Sequence, residues 1–115
     1  MKEKGDLLLS EERKLITKQG FLISIEVELW KLPLPQPSEF PQGWKLKLIA
    51  YNLENTSELV RIDNHCKKSP HYHSNRKQKF FTWVSLAETE RLFLQLAQEK
   101  FGYFEWNINI KSYEK

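Results

Sequence analysis

The chain has 115 residues, 40% hydrophobic and 29% charged, with four tryptophans and a formal net charge of +3. That length and composition describe one folded domain over residues 1–115 and exclude a disordered chain. No apolar run approaches the roughly 20 residues that cross a bilayer, and MKEKGDLLLSEERK lacks a signal-peptide core, so a cytoplasmic protein without a membrane partner is expected.

In chain order, SEERKLITK (residues 10–18) has the composition of a short helix stopped by Gly20. FLISIEVELW (21–30) alternates Phe21, Ile23, Ile25, Val27 and Leu29 with residues that include Ser24, Glu26 and Glu28, the period of a strand with one wet face. The stretch that follows holds four of the five prolines and predicts an extended loop over 33–43. WKLKLIAY (44–51) is a second strand, with Trp44, Leu46, Leu48 and Ala50 inward and Lys45 and Lys47 outward. NLENTS is a turn cluster, and ELVRID after it predicts a third strand antiparallel to the second. Behind Pro70, HYHS reads as a short edge strand. FFTWV (80–84) is compatible with a strand or with the apolar lead-in to a helix; its rings are expected in the core, the alternative being base stacking beside the neighbouring cations, as in single-strand binders.

The helix itself is signalled by the S-x-x-E capping box of Ser85 and Glu88 and by Gly102 as the stop, giving a span of about residues 86–101. YFEWNINI (103–110) alternates again and predicts a closing strand. The expected fold is α+β, an antiparallel β-sheet of four to five strands with one main α-helix packed on one face.

VRIDNHCKKSPHYHSNRKQKF (60–80) carries all three histidines and the only cysteine. From Asn64 to Ala87 there are five basic residues and no acidic one, so against a total of +3 the rest of the chain sums to −2. Arg61 and Asp63 share a strand face; such pairs ordinarily make a surface ion pair, and equally serve as a phosphate fork and an imidazole-orienting carboxylate. His71 and His73 share a face if extended, with Cα atoms about 6.5–7 Å apart, a spacing that suits acid and base on either side of one phosphodiester. The same spacing suits a metal, with Asp63 or His65 as third ligand. Cys66 has no cysteine-enzyme signature around it and reads as an inert thiol. Asn64 reads as a turn-closing amide.

R-I-D-N at 61–64, then P-H-Y-H at 70–73 and an S-x-x-E helix, resembles the small toxins of the TumE-like family, whose pattern is R-Y-D-N with proline–histidine pairs and a P-H-x-H behind it. The likeness runs over roughly residues 21–101 in order of elements and is specific only in these motifs. Arg61, Asp63, Asn64, His71 and His73 occupy motif positions, whereas Ile62 replaces the family's tyrosine, and His65 and Cys66 stand where its first proline–histidine pair would be. The resemblance implies a prokaryotic toxin–antitoxin component with a helix-turn-helix antitoxin as partner.

The leading expectation is therefore a small endoribonuclease toxin acting on RNA without a cofactor. His71 and His73 are its acid and base, Arg61 stabilises the phosphorane and Asp63 orients an imidazole, while Lys67, Lys68, Arg76 and Lys77 hold the RNA backbone. The chain has no P-loop or dinucleotide fingerprint, which argues against nucleotide-driven activity. Two alternatives stay open: a metal-binding hydrolase using His71, His73 and Asp63 or His65, and a non-catalytic interaction module presenting an edge strand or the 33–43 loop. A homodimer is compatible with all three.

Overall fold

Alternating apolar and polar residues bury one face of a strand, and the two segments with the cleanest alternation form the centre of the molecule. The computed structural model describes residues 5–33, 43–64 and 70–114. Its strands are β1 (Asp6–Ile16), β2 (Leu22–Lys31), β3 (Trp44–Asn52), β4 (Asn55–Asp63), β5 (His71–Ser74) and β6 (Lys77–Phe80). They form one six-stranded sheet among the described residues, in the order β1-β2-β3-β4-β5-β6, every neighbouring pair antiparallel. Helix α1 (Leu86–Phe101) packs against one face, and a short 3-10 turn follows at Ile110–Tyr113.

The inward residues of β2 and β3 are buried as their period predicts: Ile23, Ile25, Val27 and Leu29 meet Leu46, Leu48 and Ala50, with Val60 and Ile62 from β4. Leu86, Phe93, Ala97 and Phe101 of α1 close this layer. A fully buried side chain of this size contributes roughly 1.5–3 kcal/mol, so this layer is the main source of stability.

Among the described residues the sheet has six strands where four to five were expected, and four expectations about individual segments are corrected. Residues 10–18 are not a helix: 10–16 belong to β1, where a ladder from Asp6↔Lys31 to Ile16↔Leu22 outweighs helix preferences of only a few tenths of a kcal/mol per residue, and 17–18 lead into the turn after it. Gly20 is therefore not a helix stop; at φ 96° it turns the chain between β1 and β2, its N–H bonded to the Thr17 carbonyl at 2.9 Å. HYHS is interior, not an edge, because Asn75 enters the left-handed region (φ 55°) and returns the chain as β6. That turn is docked on β4 by two hydrogen bonds: Asn75 N–H donates to the Leu59 carbonyl, and Leu59 N–H to the Asn75 side chain.

The fourth correction concerns YFEWNINI. Phe104, Ile108 and Ile110 are buried and alternate with exposed residues, as expected, but the segment pairs with no strand. Its polar groups go elsewhere: Glu90 accepts from Trp106 Nε1 at 2.6 Å and from Ile110 N–H at 3.4 Å, and Gln98 donates to the Phe104 carbonyl. Ser24, expected on a wet face, is buried and donates to Glu12.

Helix α1 has its predicted bounds. Ser85 Oγ accepts from Glu88 N–H at 3.0 Å, and Gly102 (φ 96°) closes the other end through its N–H to the Gln98 carbonyl. A second carboxylate, Glu114, accepts from Leu86 N–H at 2.7 Å and Ala87 N–H at 3.4 Å, satisfying two donors that a helix start leaves open. Glu114→Ala is expected to cost about 0.5–2 kcal/mol, read as a shifted denaturant midpoint with an unchanged slope. A midpoint equal to wild type would show that water replaces this cap fully.

Among the described residues, no helix is long and apolar enough to cross a membrane. Most of the proline-rich loop, residues 34–42, lies outside the described residues, as do 65–69.

Candidate active site

Because side chains at paired positions of adjacent strands leave the same face, register alone determines which residues meet. β4 and β5 pair Arg61 with His73 and Asp63 with His71. β3 sets Lys47 opposite Asp63, β2 sets Glu28 opposite Lys47, and β6 sets Gln78 opposite His73 and Phe80 opposite His71. All stand on the face turned away from α1, since Val60 and Ile62 between them are wholly buried under the helix. There all of them but Phe80 line an open groove of about 410 Å³, to which Lys45 also contributes.

The four residues singled out in the sequence do converge. Asp63 bridges two of them: one oxygen accepts from Arg61 Nε at 3.2 Å, and the other stands 4.0 Å from His71 Nε2. His71 is 7% exposed, and its ring meets that of His73 edge-on at 5.2 Å between centroids. The Arg61–Asp63 pair is half exposed on the arginine side and adds less than about 1 kcal/mol to stability. Its consequence is positional, since it holds a guanidinium fork beside two imidazoles.

Asn64 does not close a local turn. It is 2% exposed, accepts from Leu46 N–H at 3.0 Å and donates to the Trp44 carbonyl at 2.5 Å, continuing the β3–β4 ladder with a side chain in place of a backbone. It thereby anchors the end of β4 from which Asp63 projects.

Of the expected RNA-holding cations, the two described ones lie away from the groove. Arg76 sits in the β5–β6 turn, and Lys77 pairs with Ser74, opposite Val60, on the helix side of the sheet. Both line a separate hollow with Glu58 and Lys100. Lys67, Lys68, His65 and Cys66 lie outside the described residues. Among the described residues the groove's cations besides Arg61 are Lys45 and Lys47, which the sequence marks only as the outward residues of W-K-L-K-L.

Beyond Lys47 the face changes sign. Glu12 and Glu26 stand opposite each other on β1 and β2, with Lys47 Nζ 3.7 Å from Glu26. The hydrogen bond and charge of Lys14, 2.9 Å away, hold the Glu12 carboxyl below its ordinary range, and Glu12 raises the Lys14 ammonium in return.

No family model, curated protein or solved structure matches the chain. The chemistry is accordingly read from the groove. Among the described residues no three histidine, cysteine or carboxylate groups are placed together to hold a metal ion, and His65, the other candidate third ligand beside Asp63, lies outside them. The rings of His71 and His73 lie edge to face at 80°, with Asp63 turned towards Arg61. What the groove offers is two imidazoles, a planar cation, two ammonium groups and two carboxylates, Glu28 and Asp63, the latter hydrogen-bonded to Arg61 and 4.0 Å from His71 Nε2.

Proposed function

We propose that the groove cleaves RNA by acid–base transphosphorylation. One imidazole takes the proton of a ribose 2′-hydroxyl, and that oxygen attacks the adjacent phosphorus. The bond from phosphorus to the 5′-oxygen breaks, and the second imidazole, protonated beforehand, delivers its proton to the leaving oxygen. The products are a 2′,3′-cyclic phosphate and a 5′-hydroxyl. Arg61 carries the charge that builds on the phosphorane oxygens, and Lys45 and Lys47 draw the phosphate to the groove. Asp63 orients His71 and keeps the guanidinium in place.

The observation that carries this reading is the β4–β5 register, which delivers Arg61, His73, Asp63 and His71 to one face within the reach of a single phosphate. Lys67 and Lys68 are proposed to contact the RNA backbone as well, whereas Arg76 and Lys77, in their separate hollow, are not part of the groove. The R-I-D-N and P-H-Y-H motifs extend the proposal to a TumE-like toxin restrained by a helix-turn-helix antitoxin.

The test is incubation of the purified chain with single-stranded RNA in excess chelator, followed by analysis of the new ends. Cyclic phosphate and 5′-hydroxyl ends are expected, and none where a 2′-deoxynucleotide precedes the bond. Intact RNA, or cleavage that requires a divalent ion and leaves 5′-phosphates, would overturn the proposal.

A further inference from the structure

We infer that Gln78 and Phe80, side by side on one face of β6, form a nucleobase subsite that seats an unpaired base next to the scissile phosphate. The inference rests on the groove's being an RNA site and names the substrate form that it takes.

Phe80 is the key observation. The neighbouring aromatics Tyr72, Phe81 and Trp83 pack against the core, but Phe80 is 60% exposed. A single exposed apolar residue needs no explanation by itself. This one, however, is paired with His71 and therefore faces the groove side, and its ring meets the imidazole edge-on at 6.0 Å. Two residues before it, Gln78 is paired with His73 and lines the groove itself. The two β6 side chains thus flank the two imidazoles at a distance of one strand spacing, about 4.8 Å. That is less than the span of one nucleotide.

Charge determines which part of a nucleotide lies there. The phosphate belongs over Lys45, Lys47 and Arg61, because Glu26 and Glu28 repel it from the β2 side. On β6 the lysines, Lys77 and Lys79, are paired with Ser74 and Tyr72 and so leave the opposite face. The groove side of β6 is consequently uncharged, with one flat ring and one amide. A ring stacks on the face of any base, while an amide carries both a donor and an acceptor for a base edge. Stacking on Phe80 requires a base released from its neighbours, so the subsite selects single-stranded RNA.

The experiment uses a single-stranded 2′-O-methyl RNA oligonucleotide containing 2-aminopurine, which cannot be cut because the attacking hydroxyl is blocked. Its fluorescence reports stacking directly. The intact chain is expected to quench it, and Phe80→Ala to lose the quenching and bind about 5- to 150-fold more weakly, the equivalent of 1–3 kcal/mol of stacking. Phe80→Tyr should retain both, and a duplex of the same sequence should not distinguish the variants. Undiminished binding and quenching by Phe80→Ala would overturn the inference. So would a change of sedimentation in that variant with RNA binding intact, which would make Phe80 a protein contact. Because the probe is uncleavable, Phe80-dependent binding by a chain that leaves ordinary RNA whole would sustain the base subsite while removing the cleavage proposal.

Discussion

His71→Gln and His73→Gln are each expected to slow RNA cleavage by about 10²- to 10⁴-fold, the usual worth of one acid or base. Glutamine fills most of the ring's volume, so the melting temperature should stay near wild type, and this matters at His71, which is almost fully buried against His73 and Phe80. The double variant should be little worse than the slower single one, since groups acting in one step are not additive. Rate against pH should trace a bell, because one ring must be neutral while the other is protonated. Cleavage at wild-type rate by both single variants would eliminate the mechanism, whatever the fate of the fold.

The second large effect is on stability and concerns Glu90. It is 7% exposed and receives both Trp106 Nε1 and Ile110 N–H, tying down the segment after α1 that has no strand partner. Glu90→Ala would leave two donors without an acceptor, at about 1–3 kcal/mol each, so a loss on the order of 2–6 kcal/mol is expected in a denaturant titration. Glu90→Gln keeps one acceptor oxygen and should lose less than half as much. A Glu90→Ala variant as stable as wild type would mean that water reaches both donors in the folded state.

Some of this architecture is legible in local sequence patterns. Period two in 21–30 and 44–51 names the buried residues of β2 and β3, and the Ser85–Glu88 signature places the helix. The same rule puts Arg61 and Asp63 on one face, opposite Val60 and Ile62. These features depend on the geometry of a few consecutive residues, which a sequence displays directly. Where local patterns mislead, the competing force comes from a distance. SEERKLITK carries good helix formers, yet a complete ladder with β2 is open to it. YFEWNINI alternates like a strand because it is extended and half-buried, but alternation reports burial and says nothing of hydrogen-bond partners. Phe80 has the composition of a core residue; its place at the edge of the sheet leaves it 60% exposed.

The amino-acid order by itself therefore determined the central strands, the helix with both its ends, and the pairing of an arginine with an aspartate on one face. Only the tertiary structure decided that two histidines from the next strand stand across from that pair, that among the described cations Lys45 and Lys47, not Arg76 and Lys77, join Arg61 in the groove, and that an aromatic ring borders it. The reason is the strand's period of two: a slip of one residue between β4 and β5 would send both imidazoles to the helix side, and no local pattern encodes that register.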